Sequence, residues 1–327
     1  MSDFLSCQEN KRMISCPNLA AYYSLPIHQK EKYLFEENVR LFFQELVSFE
    51  SGDIVGPLKN AFWTGRPIDE VPGGLDAGLY LCSSSWFVKE LIRNPGSSSA
   101  LEKIYLQERL SGAMDMYFRE ASSARALINR LQAVIENSKE YCLEYVRKTD
   151  RDMHLLNLGS GPGRDVIKMS EDEELIRERT TIDCVDIDQW AIDRGKELVA
   201  KSGIDNVRFI QKDFRRLGHL GLSDYELVIG ILCPLSHENG VALLRKFRKY
   251  LKPGARILAA CLLEEMLEKD FFTAWLIYEL TDWKLNFRRS GQLRKMFEEA
   301  GFVWLGSFTE KKYSGDTEMY EIGIGEA

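Results

Sequence analysis

The stretch that decides the fold is Leu155-Leu156-Asn157-Leu158-Gly159-Ser160-Gly161-Pro162-Gly163-Arg164-Asp165. It begins as an apolar run of strand length, from His154, and it ends in three glycines at every second position. We expect a helix to follow the glycines. A strand, a glycine turn and a helix in this order allow the backbone to approach a nucleotide-like ligand without Cβ atoms in the way.

The spacing of the glycines and a later carboxylate narrow the class of ligand. The spacing is G-x-G-x-G and not the G-x-G-x-x-G of dinucleotide sites, so it disfavours NAD and FAD and favours S-adenosylmethionine (SAM). The next apolar run, 181–186, ends in Asp186, which lies 27 residues after Gly159. An acidic residue at the end of the second strand of a doubly wound sheet can accept hydrogen bonds from both ribose hydroxyls.

Strand-like and helix-like segments alternate through the second half of the chain. The predicted strands are 154–158, 181–186, 206–211, 225–232, 256–261, 303–309 and 317–324. Helix-period segments separate them, notably 189–202 and 240–251. This alternation predicts an α/β fold with a doubly wound, seven-stranded, mostly parallel sheet. The last two strands, joined by a turn at 314–316, are expected to close it as an antiparallel hairpin.

The first half of the chain is predicted to be mainly helical. An apolar stripe indicates a helix near 31–50, and two longer helices are expected to fill 100–148. We therefore predict two domains. Residues 1–150 form a helical region that helps to cover the substrate, and residues 151–327 form the ligand-binding domain. Further helices are expected at 264–280 and 290–300.

The order of motifs from about residue 150 to 325 resembles the class I SAM-dependent methyltransferases, whose fold is Rossmann-like. The segments that carry this resemblance are Asn157-Leu158-Gly159-Ser160-Gly161-Pro162-Gly163, Val185-Asp186-Ile187-Asp188, Gln211-Lys212-Asp213-Phe214, Tyr250-Leu251-Lys252-Pro253-Gly254 and Glu298-Glu299-Ala300-Gly301-Phe302. The resemblance implies SAM as the cofactor. It also implies that the three glycines line its methionine and sugar, that Asp186 holds the ribose, and that Asp213 and Phe214 meet the adenine.

The predicted cofactor site follows from this resemblance. Its residues are Asn157, Gly159, Ser160, Gly161, Gly163, Asp186, Ile187, Asp213, Phe214 and Ile231. Asn157 departs from the pattern, because the family most often has Asp or Glu at this position. An asparagine still accepts and donates hydrogen bonds, but it brings no charge to the ammonium end of SAM.

The acceptor is expected over the ends of strands four and five. The segment 231–238 lacks the Asn/Asp-Pro-Pro-aromatic signature of enzymes that methylate amino groups of bases and glutamine. His237 is the candidate general base; the alternative is that it caps the following helix or is simply exposed. Tyr117, Tyr278 and Arg288 are the candidate substrate contacts. Arg288 or its neighbour Arg289 would pair with a substrate carboxylate, and the alternative is a solvated face.

The composition argues against several other classes of protein. A net charge of −7 and a pI near 5.4 argue against a nucleic acid as the main partner. The sequence has no run of 18 apolar residues, and we expect no signal peptide. Its seven cysteines are scattered and include no C-x-x-C pair, which argues against a disulfide framework and favours the cytoplasm. No metal site is predicted. The oligomeric state stays open, with a homodimer as one expectation.

These features predict an enzyme that methylates a small molecule, on a hydroxyl or carboxylate oxygen. One alternative is an aminopropyltransferase on the same fold, although that reaction needs paired carboxylates after strand four. The other is a non-catalytic SAM-binding or protein-interaction module. Asn157 favours that last alternative, and Asp186 with the three glycines counts against it.

Overall fold

The computed structural model of the chain describes residues 57, 60, 70–71, 85–108, 113–217, 220–281, 283–313 and 317–327. Its α-helices are α1 (Trp86–Arg93), α2 (Ser98–Tyr105), α3 (Ala113–Glu120), α4 (Ser122–Thr149), α5 (Arg164–Asp172), α6 (Glu174–Arg179), α7 (Gln189–Ser202), α8 (His237–Phe247), α9 (Glu265–Lys269), α10 (Phe271–Leu280) and α11 (Gln292–Ala300). Its strands are β1 (Met153–Leu158), β2 (Thr180–Asp186), β3 (Val207–Gln211), β4 (Ser223–Val228), β5 (Leu251–Leu262), β6 (Val303–Thr309) and β7 (Tyr320–Glu326). The predicted helix near 31–50 and the predicted turn at 314–316 lie outside the described residues.

The seven strands form one sheet in the order β3-β2-β1-β4-β5-β7-β6. Strands β1 to β5 pair in parallel, whereas β7 is antiparallel to both β5 and β6. The doubly wound, mostly parallel sheet with a terminal antiparallel hairpin is therefore confirmed. The strand order reverses between β1 and β4, and ligands of such sheets bind outside the carboxyl ends of the strands at this switch point.

Helices cover both faces of the sheet. On one face, side chains of α4 and α5 such as Val134 and Val166 pack on Leu155 and Tyr225. On the other face, α8 and α11 contribute Leu244 and Phe297, among others, to a second apolar cluster. Strands buried on both faces read as continuous apolar runs, which is why the sequence pattern located them well.

The chain divides into two compact units, and the predicted domains 1–150 and 151–327 stay predictions. One unit contains the described residues up to Ala124 together with Met266–Lys284, and the other contains Arg125–Glu265 and Leu285–Ala327. The division therefore falls near the start of α4, and the segment after β5 groups with the helical region.

Some element bounds also differ from the sequence prediction. The segment 100–148 holds three helices where two were expected, because α3 is separate from α2 and α4. Strand β4 ends at Val228 and not at residue 232. Gly230 has a φ of +87°, which lies outside extended backbone and ends the strand early.

A carboxyl group lies in the middle of the sheet. Glu226 on β4 is fully buried and lies between Leu156 of β1 and Ile257 of β5. Its Oε1 is 3.4 Å from the hydroxyl of Ser223, and its Oε2 has no hydrogen-bond partner among the described residues. Burial holds the pKa of Glu226 well above its ordinary value of 4.5. Burial therefore favours the protonated form of this carboxyl group in the folded protein.

We predict that Glu226→Gln changes how stability depends on pH. The unfolded chain releases the proton of Glu226 near pH 4.5, whereas the folded protein keeps it to a higher pH. The wild type therefore loses stability as the pH rises from 4.5 toward the raised pKa of the folded protein. Relative to the variant, the loss should approach about 1.4 kcal/mol per pH unit. Urea unfolding at pH 5, 6, 7 and 8 measures it, with the exposed Glu178→Gln as control. If the free energies of unfolding of the wild type and of Glu226→Gln change in parallel with pH, Glu226 is not a neutral buried acid.

Candidate functional site

The glycine turn between β1 and α5 has the backbone geometry that the sequence predicts. Gly159, Gly161 and Gly163 have φ values of +59°, +53° and +67°, in the left-handed region that side chains with a Cβ avoid. The N–H of Gly159 donates to the carbonyl of Val185 at 2.8 Å. The hydroxyl of Ser160 donates to the carbonyl of Gly161 at 3.0 Å, so the turn is held from within and from β2.

Two predicted cofactor residues from other strands lie beside this turn. A Cβ on Gly159 would lie 2.8 Å from Cγ1 of Ile231 and 4.0 Å from the ring of Phe214. Ile231 follows β4, and Phe214 follows β3. The fold thus brings the carboxyl ends of β1, β3 and β4 together at one place.

The carboxylate of Asp186 joins the ends of β1 and β2. Its Oδ2 accepts the N–H of Gly161 at 2.8 Å, and its Oδ1 accepts the N–H of Asp188 at 2.9 Å. Each oxygen keeps a further lone pair, so the group can also accept hydroxyl donors. Ile187, the next residue, is 60% exposed, which is unusual for a large apolar side chain and leaves it available to a ligand.

Asp213 has a local partner that the sequence did not reveal. Its carboxylate caps a short 3₁₀ helix by accepting the N–H of Arg215 at 2.8 Å, and it forms an ion pair with Nε of Arg215 at 3.0 Å. These hydrogen bonds lower the pKa of Asp213, so it stays ionised. The ring of Phe214 packs edge-on against Phe247 at 5.9 Å between centroids.

Asn157, the residue that departs from the family pattern, has a carboxylate as its partner. Its Nδ2 donates to Oδ1 of Asp165, in the first turn of α5, at 3.0 Å. Burial raises the pKa of Asp165 to about 6, although the N–H of Val166 and the amide of Asn157 favour its ionised form. From the sequence, Asp165 is explained by the helix dipole alone. The pairing with Asn157 was missed, because nothing in the sequence indicates which residue a buried asparagine contacts.

His237 begins α8, directly after the loop that follows β4. Its Nε2 lies 3.1 Å from Oε2 of Glu299 on α11, and Ser236 is the residue that caps the helix. The ring is about one-third exposed. Its role as a base stays a prediction.

Arg288 fastens the loop after β4 to the end of β5. Its guanidinium donates to the carbonyl of Leu235 at 2.6 Å and to that of Asn286 at 3.3 Å, and the side chain is buried. Its backbone N–H donates to Leu262 at 2.9 Å. Arg289 instead forms an ion pair with Glu264, so the two arginines have different surroundings.

Tyr117 and Tyr278 both belong to the helical unit, that is, the unit that contains the described residues up to Ala124 together with Met266–Lys284. The hydroxyl of Tyr117 donates to Asp270 at 3.0 Å and lies 2.6 Å from the hydroxyl of Thr273. Tyr117 is buried, and Tyr278 on α10 is partly buried. Their roles as substrate contacts stay predictions.

The described residues contain neither a cluster of metal ligands nor a membrane-spanning helix. No group of three or more His, Cys, Asp or Glu side chains among them could hold a metal ion. No helix in this part of the chain is both long and apolar enough to cross a membrane.

A comparison with family models decides the class of the second unit. Residues 149–301 match the model described as a methyltransferase domain. This span covers β1 to β5, the glycine turn, Asp186 and Asp213. The chain thus contains a class I SAM-dependent methyltransferase domain. The predicted family is confirmed.

Solved structures share the fold of this methyltransferase domain. The magnesium protoporphyrin IX methyltransferase from Synechocystis PCC 6803 with bound SAH is 12% identical, covers 73% of this chain and 99% of its own, and has a TM-score of 0.52. A possible exported protein from Bordetella parapertussis is 15% identical, covers 88% of this chain and 94% of its own, and has a TM-score of 0.57. A comparison with curated protein sequences finds no match.

We predict that Gly159→Ala weakens SAM binding to the methyltransferase domain about tenfold or more, since the added methyl would lie 2.8 Å from Ile231 and displace that side chain or the turn. Gly203→Ala is the matched control, because Gly203 has a φ of +66° and nothing within 4 Å of an added Cβ. Both variants should lose about 1 kcal/mol to left-handed strain. Calorimetric titration with SAM separates them, and equal affinities would contradict the steric account.

Proposed function

We propose that this protein transfers the methyl group of SAM to an oxygen atom of a small molecule in the cytoplasm. The observation that carries the proposal is the hydrogen bond between the N–H of Gly161 and the carboxylate of Asp186. It joins a left-handed glycine turn and an acidic strand end at the switch point of a parallel sheet, and this combination suits the sugar of a nucleoside.

The residues of the site fit the cofactor. The lone pairs that Asp186 retains can accept both ribose hydroxyls. The exposed Ile187 and the ring of Phe214 offer apolar surface to an adenine, and the turn from Gly159 to Gly163 lets the backbone lie close to the ligand. Bound SAM supplies an activated methyl group on a sulfonium. The protein therefore has to orient the acceptor atom in line with that group and exclude water.

We propose that the methyl acceptor binds beside the loop after β4 and beside the segment around Arg288, which is hydrogen-bonded to that loop. His237 lies at the end of this loop and would take the proton of a hydroxyl acceptor, and its Nε2 lies 3.1 Å from Oε2 of Glu299. Arg288 would recognise a substrate carboxylate through guanidinium N–H groups other than those that donate to the carbonyls of Leu235 and Asn286. Tyr117 and Tyr278 stay candidate substrate contacts. The absence of the amino-methylation signature in 231–238 supports an oxygen acceptor.

The cytoplasm and a small acceptor are supported by the composition. The chain has a net charge of −7, which does not suit a polyanion, and the four cysteines among the described residues are free and buried. Thiols that stay unpaired are typical of reducing compartments.

We predict that the purified protein binds SAM and that Asp186→Ala loses at least about tenfold in affinity, because the ribose loses its acceptor and the N–H of Gly161 loses its partner. Asp193→Ala, an exposed residue on α7, is the control with the same loss of charge. Isothermal titration measures all three proteins. If the folded wild type does not bind SAM, the proposed function is wrong, and decarboxylated SAM should be tested for the aminopropyltransferase alternative.

A second prediction concerns the acceptor. With methyl-labelled SAM, we expect the label in an ester or ether of a hydroxy or carboxylic acid, identified by mass spectrometry and by release of esters in alkali. His237→Gln should lower the turnover of a hydroxyl acceptor about a hundredfold, since it removes the base, but should barely affect a carboxylate, which needs none. Glu299→Gln keeps the base and is the control. Undiminished hydroxyl methylation by His237→Gln would exclude His237 as the base.

A further inference from the structure

We propose that Asp165 and Asn157 act as a pair that replaces the missing strand-end carboxylate, with Asp165 supplying the negative charge for the ammonium end of the cofactor and Asn157 presenting its amide oxygen to it. The proposal rests on the proposed function, since it assigns further residues to the same SAM site. In this pair Asp165 is a positioning residue for Asn157.

The two residues flank the glycine turn. Asn157 lies on β1 two residues before Gly159, and Asp165 lies on α5 two residues after Gly163. The hydrogen bond of 3.0 Å between them therefore closes the base of the turn. Asn157 is 1% exposed and Asp165 is 7% exposed, so water does not satisfy either group.

The carboxylate decides which way the amide of Asn157 faces. An ionised carboxylate only accepts hydrogen bonds, so the NH₂ group of Asn157 has to point toward Asp165. The amide oxygen then points away from Asp165 and is fixed as an acceptor. With no acceptor beside it, the same amide could turn over and present a donor, which would repel an ammonium group.

The charge of Asp165 is costly to bury, and its raised pKa reflects this cost. Besides Asn157, the N–H of Val166 donates to Asp165 at 2.9 Å, and Arg130 of α4 also favours its ionised form. The thiol of Cys184 on β2 interacts with it as well. An ammonium group brought to the turn would add a second cation to the surroundings of Asp165. The protein would thus hold a buried acid at the place where the cofactor carries its positive charge.

The test uses SAM and S-adenosylhomocysteine, which both carry the amino-acid group, and 5′-methylthioadenosine, which lacks it. S-adenosylhomocysteine and methylthioadenosine are both uncharged thioethers at sulfur, so a difference between them reports on the amino-acid end. Asp165→Asn keeps the size of the side chain and a hydrogen bond to Asn157 but removes the charge. We expect its Kd for SAM and for S-adenosylhomocysteine to rise about tenfold or more, while its Kd for 5′-methylthioadenosine, which lacks the ammonium and carboxylate, changes by less than about twofold. Asp172→Asn, on the same helix but paired with Lys168, is the control and should bind all three like the wild type.

A second variant keeps the proposal testable if the first does not fold. Asn157→Asp combined with Asp165→Asn exchanges the two side chains, so the hydrogen bond is retained and the charge moves to the strand end. We expect this double variant to bind SAM within about threefold of the wild type.

The outcomes separate the two proposals. A wild type that binds neither SAM nor methylthioadenosine overturns the proposed function and this inference together. A wild type that binds SAM, with Asp165→Asn binding it equally well, overturns this inference alone. Equal losses for SAM and methylthioadenosine in Asp165→Asn would also overturn it, because they indicate a purely structural role.

Discussion

The carboxylate of Asp186 is the contact on which the rest of the site depends. The glycine turn has three residues with positive φ and would have many accessible shapes in isolation. One of its N–H groups is fixed by Asp186 and another by the carbonyl of Val185, both at the end of β2. The pairing of β1 with β2 therefore fixes the turn, and a slip in register between these strands would displace the turn from its anchors.

Local sequence patterns were sufficient for the fold, and they also indicate the cofactor side of the site, whose residues stay predictions. The glycine spacing, the acid at the end of β2 and the apolar runs each concern residues close together in the chain. Buried parallel strands and the positive φ of Gly159 and Gly161 leave such local signals, because few residue types satisfy them. The position of Ile231 beside Gly159 then follows from the strand order, since β1 and β4 are neighbours.

The sequence could not identify pairs of contacting residues that only the packing of the fold brings together. The hydroxyl of Tyr117 meets Asp270, which is 153 residues away, and nothing local marks either as the other's partner. The guanidinium of Arg288 donates to the carbonyl of Leu235, whereas from the sequence alone a substrate carboxylate is an equally plausible partner. Even the eight-residue contact of Asn157 with Asp165 depends on how the helix turns back over the strand.

Two buried acids show why burial alone does not identify a functional carboxylate. Burial raises the pKa of both Glu226 and Asp165. Glu226, however, lies in mid-strand between Leu156 and Ile257, where no ligand can reach it, so its consequence is a dependence of stability on pH. Asp165 lies at the glycine turn and accepts a hydrogen bond from the amide of Asn157 at the carboxyl end of β1. The difference between the two is position in the fold, and for that reason only Asp165 is assigned to the cofactor.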